Sequence, residues 1–96
     1  MIFISRLASD TAGYDQSAQR MLQLAREMPG FLGFESAREE VGISVSFWRD
    51  AESIANWREH SEHLQAQAEG RKRWYDDYQL HIARVERSAS FHRDPG

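Results

Sequence analysis

An α+β fold, with elements in the order strand, helix, strand, strand, helix, strand, is what this sequence predicts on three observations. Apolar and polar residues alternate with period two in four separate stretches, the pattern of half-buried strands. Two further stretches carry apolar residues at helical spacing. Pro29-Gly30, Glu39-Glu40 with Gly42, and Asp50 stand where one pattern gives way to the next. Elements in this order make the ferredoxin-like βαββαβ unit, an antiparallel four-stranded sheet with both helices on one face.

The first strand is read over residues 1–9, with Ile2, Ile4 and Arg6 on one face and Phe3, Ser5 and Leu7 on the other. Beyond the polar turn Ser9-Asp10-Thr11 the period lengthens, and Tyr14, Ala18, Met21, Leu22, Ala25 and Met28 form the stripe of an amphipathic helix that Pro29-Gly30 ends. Residues 31–39 alternate as a second strand. A tight reversal at Glu39-Glu40 leads into a third, where Ile43, Val45 and Phe47 oppose Ser44, Ser46 and Trp48, so these two strands predict a hairpin. Asp50 is a good N-cap and Glu52 puts a negative charge in the first turn, where it suits the helix dipole. Ile54, Trp57, Ser61 and Leu64 then recur at helical spacing. Gly70 marks a stop, residues 71–77 a short helical piece, and residues 78–87 a fourth strand with Leu80 and Ile82 opposite His81, Ala83 and Val85. The expectation is one domain over residues 1–91 and a flexible polar tail over 92–96.

Ninety-six residues bury only about 60 to 65 percent of the unfolded chain's surface, so a partner subunit is expected. Apolar groups on both strand faces, Phe31 against Leu32 and Phe34, and Phe47 against Trp48, point to a homodimer with the sheets face to face. Residues 88–91 would reach across as an arm on the partner's edge strand. Net charge of −3 leaves no basic footprint for nucleic acid, since Arg71-Lys72-Arg73 is followed by Asp76 and Asp77. No run is long and apolar enough for a signal peptide or membrane span, and no cysteine is present, which fits a cytoplasmic protein.

Of the four histidines, His60 and His63 lie three apart on the second helical segment. Both could approach one metal ion, but the spacing is not the His-Glu-x-x-His of zinc proteases and no third ligand is at hand, so no metal is expected. On an unbroken helix Asn56, His60 and Gln67 border the apolar stripe and His63 points to solvent. His60 reads equally as a surface residue or a functional one. Trp48, Trp57, Trp74, Tyr75 and Tyr78 read as core and interface, or as the walls of an apolar pocket for a flat organic ligand. The glycines match no dinucleotide or phosphate-loop spacing, so no nucleotide cofactor is expected.

With Pro29-Gly30-Phe31-Leu32-Gly33-Phe34-Glu35, Ile43-Ser44-Val45-Ser46-Phe47-Trp48-Arg49-Asp50, Ile54, Trp57, His63, Gln67 and Trp74-Tyr75 in view, the chain resembles the antibiotic biosynthesis monooxygenase family over residues 2–91. The resemblance implies a dimeric α+β barrel, two ferredoxin-like sheets closing on each other. It also implies a helix interrupted near Ser61, which would free His63 from the angular argument above. Members include cofactor-independent oxygenases of polycyclic phenols, haem-degrading monooxygenases and proteins of unknown activity. The haem-degrading pattern is an Asn on the first strand, a Trp on the second helix and a His three turns on; Trp57 matches, but Ser5 and Gln67 stand at the other two places, and no haem is expected. The oxygenase branch implies a water-poor pocket, a base and hydrogen bonds to a developing oxyanion. On that reading a small aromatic or quinol-like substrate would lie against Trp57, with His63 or His60 as base and Arg49, Asn56, Gln67, Trp74 and Tyr75 around it. The alternative is a non-catalytic ligand-binding or stress-response dimer.

Overall fold

The computed structural model describes residues 1–95; Gly96, the last residue of the expected tail, lies outside them. Strands β1 (Ile2–Leu7), β2 (Phe31–Arg38), β3 (Gly42–Trp48) and β4 (Tyr75–His81) alternate with helices α1 (Tyr14–Glu27), α2 (Ala51–Glu59) and α3 (Ser61–Glu69), and a π turn at Gly70–Trp74 precedes β4. The strands form one antiparallel sheet in the order β2-β3-β1-β4, the ferredoxin-like arrangement. β2 and β3 pair as the expected hairpin from Arg38↔Gly42 through Phe34↔Ser46, with an irregularity at Leu32 between Phe31 and Gly33.

Local chemistry explains the element ends. Gly30 closes the α1–β2 turn at φ +86°, a conformation that favours glycine, and its bare Cα lies against Ser53, where a Cβ would stand 2.1 Å from the hydroxyl. Asp50 caps α2 by accepting from the Ser53 N–H (2.8 Å) and the Ser53 hydroxyl (2.7 Å). These contacts join the turn before β2 to the start of α2.

The second helical segment is not continuous. At His60 the backbone is extended (ψ 131°); its N–H closes α2 on the Trp57 carbonyl, and its ring Nδ1 accepts from the Glu62 N–H (3.2 Å) and so caps α3. The expected stripe through Ser61 and Leu64 therefore fails: both are exposed, and His63 turns inward instead of to solvent. Nor does Gly70 stop the helix. It keeps right-handed helical angles (φ −58°, ψ −48°) and passes into the π turn, which delivers Trp74 to the interior with its indole N–H on the Ala12 carbonyl (2.9 Å).

β4 consequently begins at Tyr75, opposite Leu7, and not at Tyr78. It ends at His81 and not at Arg87, because the neighbouring strand runs out at Ile2↔His81. Residues 82–95 have no regular secondary structure and are exposed. Their projection is visible in a radius of gyration of 14.7 Å against about 12.5 Å for a compact chain of this length.

The sheet faces differ in an unexpected way. The outer face carries aliphatic members of β1 and β3, pairing Ile2 with Val45 and Ile4 with Ile43, beside Phe47. The face under the helices carries Phe3 and Trp48 together with serines, Ser5, Ser44 and Ser46 with Ser36 across from Ser44. Period-two alternation locates the two faces but does not say which one the helices cover.

Candidate functional site

Between the serine-bearing face and the helices lies a cavity of about 500 Å³, within the size range of small-molecule sites. Its helix side is formed by α1 through Tyr14, Ala18, Met21 and Leu22, and by Trp57, His63, Ala66 and Gln67. At one end three flat rings lie nearly parallel: Trp48 on Trp57 (6.2 Å, 25°) and Trp57 on His63 (4.5 Å, 26°). Trp57 is buried, and the Trp48 N–H is satisfied by the Ser46 hydroxyl at 2.9 Å.

Because the helix breaks at His60, α3 starts afresh and brings His63 under Trp57. Burial pushes the His63 pKa down to about 4, so the ring is neutral at pH 7. Its Nδ1 is buried with no hydrogen-bond partner. An unsatisfied buried nitrogen costs about 1–3 kcal/mol.

The opposite end is polar. The Arg38 guanidinium donates to the Ser5 carbonyl (3.3 Å), to the Ser5 hydroxyl and to the Tyr14 hydroxyl (3.5 Å). Tyr75 lies 5.8 Å from Tyr14 ring to ring, and burial, followed by the Tyr14 hydroxyl, pushes its phenol well above the ordinary tyrosine range. It is a neutral hydrogen-bonding group at any ordinary pH.

Of the residues singled out in the sequence, Trp57, His63, Gln67, Trp74 and Tyr75 line this cavity together. Arg49, Asn56 and His60 do not. Arg49 is exposed and pairs with Asp50 (3.3 Å), Asn56 is exposed on α2, and the Nδ1 of His60 is occupied as the α3 cap. Tyr14, Arg38, Ser44 and Ser46 line the cavity without having been singled out, and Ser5, noted only as standing where the haem-degrading pattern has an Asn, lines it as well. The available signal was serine at alternate positions of β3, with Ser36 opposite Ser44 on β2 and Ser5 opposite Gly42 on β1; alone it reads as a solvent face.

Among the described residues no group of three or more His, Cys, Asp or Glu could hold a metal ion, and no helix is long and apolar enough to cross a membrane. The donor set does not fit haem. His63 is the one imidazole on the cavity, pressed face-on against Trp57 with Nδ1 enclosed, and the fully buried Ser5 hydroxyl is held by Arg38.

Comparison with known proteins agrees with this architecture. The pattern of the family described as "Antibiotic biosynthesis monooxygenase" matches residues 8–69. The Bacillus subtilis (strain 168) protein YqjZ, itself uncharacterized, is 43% identical over 93 residues, which is 95% of this chain and 82% of that protein. Jasmonate monooxygenase ABM of Pyricularia oryzae (strain 70-15) is 41% identical over 46 residues, 48% of this chain but 21% of that protein. The crystal structure of SnoaB, a cofactor-independent oxygenase from Streptomyces nogalater, shares the fold with a TM-score of 0.69 at 16% identity, over 88% of this chain and 90% of that one. A family pattern across nearly two thirds of the sequence, together with a relative similar along almost its whole length, places this chain in the antibiotic biosynthesis monooxygenase family.

Proposed function

We propose that this protein is a small oxygenase-type enzyme that oxidises an aromatic or quinol-like molecule without a bound cofactor. The observation that carries the reading is His63: a neutral imidazole stacked on Trp57 at the wall of a largely apolar cavity. Trp48 and Trp57 give a flat ligand an aromatic wall, and the serine hydroxyls and Tyr75 offer hydrogen bonds to its oxygens. The electrons come from the substrate: a ring CH2 and O2 give C=O and H2O, with one oxygen atom retained and the other leaving as water. His63 takes the proton whose loss makes the substrate electron-rich enough to react.

The pKa sets a limit on that substrate. Burial makes His63 a weaker base than an ordinary histidine, so an ordinary phenol near 10 gives up its proton to it only unfavourably. Acidic quinols and enols therefore fit better than simple phenols. The same weak basicity favours a second reading, in which the cavity binds such a molecule and performs no chemistry.

Oxygen uptake with a panel of phenols, quinols and enolisable polycyclic ketones separates the two readings. Substrate-dependent uptake that falls about 10²–10⁴-fold in His63→Ala and is retained in His60→Ala is the expected result. Tight binding without uptake across the panel leaves the binding protein. The working unit in either case is a homodimer, supported by the apolar outer sheet face, on which Ile43 and Phe47 remain 47% and 42% exposed in the single chain. The cysteine-free sequence suits a cytoplasmic setting.

A further inference from the structure

Among the described residues Arg38 is the one charged side chain on the cavity lining, and no carboxylate side chain faces it there. Among the described residues it takes part in none of the ion pairs, which are Arg6–Asp77, Arg20–Glu62, Arg49–Asp50 and Arg73–Glu69. Its hydrogen-bond partners, the Ser5 carbonyl and hydroxyl and the Tyr14 hydroxyl, are neutral acceptors, and its guanidinium lies over the Tyr14 ring at 5.7 Å. A guanidinium has five N–H donors and stays charged at all relevant pH, so these contacts leave both donors and charge uncompensated.

The seat of this group is built into the hairpin. Arg38 and Gly42 are cross-strand partners, and a Cβ on Gly42 would lie 2.1 Å from the Arg38 Cζ. Glycine at 42 is what lets the guanidinium fold flat over β3 into the cavity instead of extending to solvent. A half-buried cation held by neutral groups in an apolar cavity is a poor arrangement for stability alone and a good one for receiving an anion.

We propose that Arg38 anchors an anionic group of the ligand, so that the substrate class is aromatic or quinol-like carboxylic acids. The inference rests on the cavity being the small-molecule site argued above. The carboxylate pairs with Arg38 beside Tyr14, the ring lies on the serine strip, and the far edge meets Trp57 and His63. A carboxamide on the same ring keeps a hydrogen bond from Arg38 but loses the charge pairing.

The test compares 2-naphthoate with its neutral analogue 2-naphthamide, titrated calorimetrically into the full chain. The expected result is that the acid binds at least about 10-fold more tightly. Arg38→Met should abolish that preference, the acid losing at least about 10-fold more affinity than the amide. Gly42→Ala, which keeps the arginine but displaces it, should reduce the preference as well. Equal affinity of the wild-type chain for acid and amide overturns the anchor and leaves the aromatic cavity standing, and that comparison needs no variant to fold. A preference that survives in Arg38→Met also overturns the anchor. If neither probe binds, the cavity reading fails and this inference fails with it.

Discussion

His63 converts a break in a helix into a chemical property, and its protonation can be followed through stability. Its folded pKa is about 4, against about 6.5 for a histidine in an unfolded chain. Above pH 6.5 both states hold the ring neutral and the shift has no effect. Between 6.5 and 4 the unfolded chain takes up a proton that the folded chain refuses, so stability falls; below 4 the loss is complete. The shift corresponds to at most about 3 kcal/mol, or about 2 kcal/mol after allowing for solvent screening of a ring that is only partly buried. Urea unfolding at pH 7.5 and 4.5 should therefore show a wild-type loss about 2 kcal/mol larger than that of His63→Gln. Equal losses would mean that the ring is not held neutral by its surroundings. His60, whose Nδ1 caps α3, should behave differently: His60→Ala is expected to lower stability by about 1 kcal/mol and leave ligand affinity unchanged.

At the scale of elements, the α1–β2 turn and the start of α2 form one unit through Gly30, Asp50 and Ser53. Gly30→Ala combines a left-handed backbone with a 2.1 Å approach to the Ser53 hydroxyl, and a loss of about 2–3 kcal/mol is expected in chemical denaturation. Asp50→Ala, which removes the cap alone, should lose about 1 kcal/mol. Period-two and helical spacing were enough to read the six-element order, the hairpin, the Asp50 cap and the fold class. They missed the break at His60, because an imidazole capping a helix leaves no mark in apolar spacing. The π turn was missed for a related reason: a glycine before a basic run reads as a stop, yet burial of Trp74 draws the backbone onward. The candidate site was legible in its aromatic half. Trp57, His63, Gln67, Trp74 and Tyr75 carry side chains conspicuous in any sequence, whereas Ser5, Ser44 and Arg38 matter only because the helices cover the face they occupy.

For the molecule as a whole, the outer sheet face and residues 82–95 are the two surfaces without partners in the single chain. Ile82, Val85 and Phe91 are 52%, 60% and 83% exposed, beyond the last pair of β4. In the proposed homodimer the outer faces stack and this segment lies along the partner's edge. Sedimentation equilibrium at micromolar concentration should give twice the chain mass. Phe47→Glu, a charge at the centre of the apolar face, should shift the dimer toward monomer at least about 100-fold; deletion of residues 82–95 should weaken it less. A monomer mass for the wild-type chain would remove the dimer from the account while leaving the cavity, which one chain encloses, in place.

The empty space at Gly42 also has an evolutionary consequence. Where a relative keeps arginine at the position of Arg38, glycine should be favoured at position 42, since a side chain there would displace the guanidinium from its seat. Where the arginine has been replaced by a shorter residue, that restriction lifts and larger residues should accumulate at 42. The two positions should thus covary across descendants of a common ancestor, dividing them into lineages that handle acids and lineages that handle neutral molecules. A single nucleotide change in the glycine codon would be enough to start the passage from one to the other.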